Sequence, residues 1–410
     1  MGVQGTAGRT LARCVSAVAL SLALGAPRVA SAQLFDSSDP DAVQIHGFVS
    51  QGFLKSTDNN YLANSKAGSF SFTEAGLNVS KSLTDNLRLG VQIYAYDLGP
   101  LGNYRPRFDW YNLDYRFRDW LGVRVGHTKI PFGLYNETSD IDASRVPVLL
   151  PQSVYPVDHR DYLLAVTGGE LYGDVRLHVA GSLEYRAYGG TLQFDPPSSD
   201  VPGVTLSDIS EPYIYGGRLM WTTPLPGLRI GGSYQALGIH WKYNLDPAVS
   251  QALQAVGLLP ADFVSPLPVS FDVRLWVASA EYRHAGLRIS AEYSQWIAKF
   301  RSDAPALLPP HVTNERYYVM ASYQVTRWLT PCVYYAVYYP NVDERKGRQS
   351  HQNDAALSLR FDINAHWLVK LEGHWMDGTA SLDPTLNGGT GLDALAKDWG
   401  VVLIKTTAYF

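Results

Sequence analysis

Twelve basic side chains fall on every second position of segments whose other positions are apolar. They are Arg88, Arg116, Arg124, Arg176, Arg186, Arg218, Arg229, Arg288, Arg316, Arg360, Lys370 and Lys405. The acids on the same face number six: Glu74, Asp114, Glu184, Glu292, Asp362 and Glu372. Arg274 and Glu281 lie in 272–283, where the alternation does not decide a face, and are left out. The chemistry open to such a surface is electrostatic, since a lining with more base than acid lowers the barrier to anions. A plainer reading is that individual arginines pair with neighbours such as Asp114, Glu184 and Glu372. Catalytic chemistry has less to stand on. The ten histidines are scattered singly, no G-x-S-x-G, H-E-x-x-H or Gly-rich phosphate loop occurs, and no Cys/His cluster suits a metal or cofactor. His127, beside Lys129, reads as a lining residue.

The elements that position these side chains have period two. "NLRLGVQIYAY" (86–96) sets Leu87, Leu89, Val91, Ile93 and Ala95 against Arg88, Gly90, Gln92, Tyr94 and Tyr96. "DVRLHVAGSLEYR" (174–186) and "DAALSLRFDI" (354–363) repeat the pattern, so each reads as a strand of about ten residues with one greasy and one wet face. Seven short corners punctuate the chain: 82–87, 118–121, 172–175, 224–228, 284–287, 325–329 and 363–367. They alternate with eight long links, at 55–67, 98–107, 131–160, 190–212, 243–270, 301–314, 341–353 and 378–397. That makes sixteen strands between residue 44 and Phe410. A soluble sandwich gives neither the strict alternation of links nor the even count. The pattern predicts an all-β fold, a transmembrane antiparallel up-and-down β-barrel with short periplasmic turns and long extracellular loops, closed because no edge can stay unpaired in hydrocarbon. Trp120, Trp221, Trp328 and Trp367 near short turns, with Trp110, Trp241, Trp296, Trp375 and Trp399 near long links, suggest two aromatic belts. In the last strand Val402, Ile404, Thr406, Ala408 and Phe410 are expected to face lipid, and Lys405 and Tyr409 the lumen.

The termini and composition agree. Residues 1–32 combine Arg9 and Arg13, the apolar "VSAVALSLAL" and a closing "ASA", which predicts a cleaved signal peptide. Residues 33–43 form a short leading segment and 44–410 the barrel. Without Arg9, Arg13 and Arg28 the formal charge of −4 becomes −7, which argues against a nucleic-acid partner. Only Cys332 then remains, so no internal disulfide is expected.

The link 131–160, "PFGLYNETSDIDASRVPVLLPQSVYPVDHR", is far longer than an ordinary hairpin connection. It mixes Val146, Val148, Leu149 and Leu150 with Glu137, Asp140, Asp142, Asp158, Arg145 and Arg160. Such a loop could tuck into the barrel with its charges at a constriction, or lie outside against a neighbouring subunit. In "DPAVSQALQAVG" (246–257), Asp then Pro followed by Val249, Leu253 and Val256 predicts a short helix on the barrel mouth.

"VRVGHTKIPFGLYNETSDID" with "RVPVLLPQSVYP", and "VQIHGFVSQGFLKSTDNNYL" at the start, resemble proteobacterial outer-membrane porins related to the phosphate-selective (O and P) porin family. The specific motifs cover 43–62 and 123–156. The resemblance implies a homotrimer with the third loop as constriction, and makes Arg145 and Arg160 eyelet residues opposite an arginine track. Phosphate-selective members add lysines from the fifth external loop. Here 243–270 holds no Lys or Arg, and acids outnumber bases in 131–160, so the likeness stops short of that lysine site. By resemblance to outer-membrane proteins, the last strand ending on Phe410 is an assembly signal for the outer-membrane assembly machinery of a Gram-negative cell. The expectation is a porin in outer-membrane lipid, passing small hydrophilic, preferentially anionic solutes without a cofactor. The alternatives are a non-conducting structural or adhesive barrel and a barrel-embedded enzyme.

Overall fold

Alternating apolar and polar residues cannot satisfy their backbone groups along an open sheet edge in a membrane, and the chain resolves this by closing. The structure, a computed structural model, describes residues 42–192, 203–304 and 311–410. The expected signal peptide 1–32 and most of 33–43 lie outside the described residues. Sixteen strands follow in order. The first eight are β1 (Gln44–Ser56), β2 (Phe72–Thr84), β3 (Leu87–Leu98), β4 (Arg107–Arg118), β5 (Leu121–Lys129), β6 (Ala165–Arg176), β7 (Ser182–Thr191) and β8 (Val204–Thr222). Then come β9 (Leu228–Leu245), β10 (Leu267–His284), β11 (Leu287–Ser302), β12 (His311–Tyr323), β13 (Leu329–Tyr339), β14 (Gln352–Asn364), β15 (Trp367–Gly378) and β16 (Asp398–Tyr409). Each pairs with its neighbours in sequence, and β1 closes the ring on β16. The fold is therefore the expected sixteen-stranded antiparallel barrel.

The closing seam runs from Phe48 opposite Tyr409 to Ser56 opposite Val401. Phe410 extends it, exchanging backbone hydrogen bonds with Gly47 at 3.0 and 3.1 Å. The Phe410 ring packs over Gly47, where a β-carbon would come within 2.7 Å of it, so any larger residue there has to displace the ring. Facing follows the alternation: Val402, Ile404 and Phe410 are exposed on the outer surface, while Lys405 and Leu403 are fully buried inside.

Three expectations need correction. The corner placed at 172–175 lies instead at 177–181, between β6 and β7. Gly181, with φ +90°, supplies the left-handed backbone there, whereas Gly173 and Asp174 remain in the strand. Strands β8 to β11 run to 19, 18, 18 and 16 residues, well beyond ten, and extend the wall on the loop side. The upper belt is not made by the expected tryptophans. Trp375 points outward, but Trp296 and Trp399 are buried in the lumen, Trp110 bonds inward to Gln92, and Trp241 packs with the lumenal core. An interior loop offers them more apolar contact than the membrane interface does. The short-turn side keeps its outer tryptophans, with Trp120, Trp328 and Trp367 exposed. The helix over the mouth spans Pro247–Ala255, and its Val249 and Leu253 pack with Leu245, Leu259 and Leu267, while Val256 is exposed.

Candidate pore and constriction

The loop after β5 folds into the barrel rather than over it. Its neck is tied where Ile130 N–H donates to Leu164 O at 2.8 Å and Asn136 donates to the carbonyls of Ile130 and Leu163. Val148, Leu149, Leu150 and Val154 are almost fully buried. The first two pack among inward-facing Leu54, Phe72, Leu98, Met376, Trp399, Val401 and Leu403. Burying one such side chain contributes about 1.5–3 kcal/mol. Apolar residues on the inner wall, which a water-filled lumen would not favour, are thus explained by the loop they cover.

Two wall carboxylates hold the loop's backbone. Glu372 of β15 accepts from the N–H groups of Val148 and Leu149 at 2.6 and 3.0 Å. Glu292 of β11 accepts from Leu134 N–H at 3.0 Å and from the hydroxyls of Tyr155, Tyr318 and Ser279. His374 stands between Glu372 and Asp354, 2.9 Å from each. Arg360 donates to the carbonyls of Ala143 and Arg145, and Arg316 to that of Ser153. The loop is therefore strapped to β11, β12, β14 and β15 by groups that a buried charge requires for solvation.

Its own acids complete the strapping. Asp142 lies 2.9 Å from the Lys370 ammonium, 3.3 Å from Lys405 and 3.7 Å from Arg145, and accepts from Thr407. Burial pushes this carboxyl up, but Lys370, Lys405 and Arg145 overcome it and hold it far below the usual carboxylate range. Asp140 binds Lys129 and Gln92; burial raises it, Lys129 and Arg160 lower it, and the balance leaves it at about 2. Glu137 bridges Arg186 at 3.1 Å and Arg218 at 2.9 Å. Asp158 is mostly exposed beside His159.

This geometry changes the expected arginine track. Arg145 is buried with its guanidinium turned into its own loop, toward the carbonyls of Ser139 and Val148, so it braces the loop and does not project as an open eyelet cation. Arg160 is bound to Asp109 and stacks on the Tyr94 ring at 4.4 Å. Arg316 is buried between Trp296 and Tyr338, at 3.8 and 4.3 Å. Arg124 is capped by Asp114 and Glu170, Arg218 by Glu137 and Glu184, Arg360 by Asp362, and Lys405 by Glu74. Arg229 and Arg288, with Arg283, converge on Glu281. Arg116 pairs with Asp119 and Asp174, and Arg176 is exposed at the end of β6. Arg88 differs: it donates to Gln44 and Ser80, with no carboxylate bound to it among the described residues. The two-to-one excess of base over acid does not survive, because Asp109, Glu170, Glu281 and Asp354 also face inward and the loop adds Glu137, Asp140 and Asp142. Glu170 was legible in the alternation Glu170, Tyr172, Asp174; Asp109 was not, since a bulge opposite Gln92 and Ile93 turns it in. His127 faces outward, stacked on Tyr111 and bonded to Thr167, and does not line the lumen.

Cavities flank the loop on both sides. On the short-turn side a cavity of about 590 Å³ is lined by Arg88, Arg124 and Lys129 and by Asp114, Glu137 and Asp142, with Trp110 and Tyr409. On the long-loop side a chamber of about 80 Å³ brings Arg145 and Arg160 together with Glu74, Tyr94, Tyr96 and Gln152.

Solved structures share this architecture at low identity. The anion-selective porin from Comamonas acidovorans is 12% identical, with 90% of this chain and 99% of that one covered at a TM-score of 0.54. The outer-membrane channel DcaP of Acinetobacter baumannii is 13% identical, with 92% and 99% covered and a TM-score of 0.54. OmpT of Vibrio cholerae in its in-vitro folded trimer form is 13% identical, with 90% and 99% covered and a TM-score of 0.51. The fold is that of outer-membrane β-barrels. No family model and no curated protein matches the sequence.

Proposed function

We propose that this chain is a Gram-negative outer-membrane porin, a homotrimer in which each barrel passes small hydrophilic solutes down their own gradient, with a preference for anions. The observation that carries the reading is the loop 131–160 folded into a sixteen-stranded lumen and fixed to the wall on several sides, with a cavity beneath it. A barrel of this size otherwise leaves a wide aqueous channel, and an interior loop is the economical way to narrow it. The anion preference rests on Arg88, which has no acid partner among the described residues, and on the exposed Arg176 at the short-turn mouth. Fixed positive charge at a narrow entrance concentrates counter-ions. Glu137, Asp140, Asp142, Arg145 and Arg160 form the constriction by holding the loop and shaping its edges, not by presenting unpaired charge. The reading includes removal of 1–32 on export and recognition of the Phe410 strand by the assembly machinery. The names of the Comamonas and Acinetobacter proteins, an anion-selective porin and an outer-membrane channel, support it. Insertion of the purified protein into planar bilayers tests it: stepwise ohmic conductance is expected, whereas trimers that insert and never conduct would favour the structural barrel.

A further inference from the structure

The chamber on the long-loop side of the constriction differs in make-up from the cavity below it. Three charged side chains line it, Arg145, Arg160 and Glu74, while much of the remaining wall is apolar, including Phe72, Leu149, Val157 and Leu164. Glu74 of β2 lies directly opposite Tyr96 of β3. Tyr96 and Tyr94 stack at 5.6 Å, and the Arg160 guanidinium lies over both rings, at 5.7 and 4.4 Å. A base and an acid are thus placed about the same pair of tyrosines.

Charge balance sets the class of occupant. Each lining charge is partnered from behind the wall: Arg160 by Asp109, Glu74 by Lys405 at 2.6 Å, and Arg145 by Asp142 at 3.7 Å. Neither sign is in excess, so a simple ion gains little by entering. Hydrogen-bonding capacity of both kinds remains. A guanidinium has five N–H donors and a carboxylate about four acceptor positions, and the buried Arg145 Nε has no partner among the described residues. An inorganic anion would lie against Glu74 and hydrocarbon, and a sugar would leave the apolar wall unmatched. A molecule with both charges and a short hydrocarbon branch meets every part of the lining. The volume, about 80 Å³ against about 150 Å³ for a cavity that takes benzene, limits it to a few carbons.

We infer that the chamber is a recognition site for a small zwitterionic amino acid, its carboxylate on Arg160 and Arg145, its ammonium on Glu74 beside Tyr96, and its side chain against Leu149 and Val157. The ammonium gains from the carboxylate and from the ring face together. The site deepens the porin reading and rests on it for the route by which the solute arrives.

Saturation-transfer difference NMR on the full mature protein in detergent at neutral pH tests it, with L-alanine against propionate, which lacks the ammonium, and ethylamine, which lacks the carboxylate. Saturable transfer to L-alanine is expected, with each analogue about tenfold weaker or more. Glu74→Gln should weaken L-alanine about tenfold and leave propionate unchanged. Val157→Trp, which fills the chamber, should weaken it comparably while the purified variant keeps its β-sheet circular dichroism. Propionate bound as tightly as L-alanine would overturn the site, as would the absence of saturable transfer to L-alanine, and this comparison on the unmodified protein decides even if a variant fails to fold. The two readings fail separately. A protein that conducts without binding L-alanine loses the site and keeps the pore, whereas a barrel that binds L-alanine and never conducts keeps the site and loses the pore.

Discussion

The Asp142 carboxylate and the Lys370 ammonium meet at 2.9 Å, and neither is exposed to solvent. One belongs to a loop and the other to the barrel wall, 228 residues apart in sequence. Lys405, Arg145 and Thr407 surround the same carboxylate, so a single side chain from the loop neutralises a basic cluster that the wall could not bury alone.

Removing that carboxylate is accordingly more damaging than removing any one of its partners. Asp142→Ala leaves buried cations without a counter-charge, and a loss of about 3–5 kcal/mol is expected. Denaturant unfolding in detergent measures the cost. Single-channel records of the variant should show a larger, noisier conductance as the loop leaves the wall.

Arg145 separates two roles. If it braces the loop through the Ser139 and Val148 carbonyls, Arg145→Ala should raise conductance and noise while leaving ion preference nearly unchanged. A loss of anion preference at constant conductance would restore it as an open eyelet cation.

Acid should loosen the strap from one direction. Asp140 sits at about 2 against an ordinary 3.8, and Asp142 lies lower still for the same kind of reason. A depressed carboxylate stabilises the folded state fully above its unfolded value and loses that contribution as pH falls through the folded one. Conductance and thermal stability should therefore hold from neutral pH to about 4 and change between about 4 and 2. A transition centred near pH 6 would contradict the assignment.

Gly47 carries a prediction about closure. A side chain there meets the Phe410 ring at the seam between β1 and β16. Gly47→Val should slow barrel assembly and weaken the seam, read as a larger fraction migrating in the unfolded position on cold gel electrophoresis. The same change at Gly373, where a β-carbon meets nothing within 4 Å, should be tolerated.

The barrel was legible because its period is strict. Which face Leu87, Leu89 and Val91 take against Arg88 and Gly90 follows from the pleat alone, as does the lipid face of β16. The lumen was less legible, since facing inward does not reveal partners. Lys405 and Arg218 lie on the expected face beside Glu74 and Glu184 of the wall, yet the rest of their counter-charge comes from a loop whose path no local pattern encodes. Trp296 and Trp399 were misread for the same reason: proximity to a long link is compatible with the membrane interface and with the covered interior. Glu281 remained undecided because "VRLWVASAEYRH" has alanines where lipid-facing side chains are normally large.

The reversal potential of single channels in a KCl gradient, for the unmodified protein and for Arg88→Glu, tests the central claim most directly. Arg88, which lines the cavity beneath the loop with no carboxylate bound to it among the described residues, predicts chloride preference in the first and a clear shift toward potassium in the second, with stability unchanged. Potassium preference in the unmodified channel, or a potential indifferent to Arg88→Glu, would contradict it.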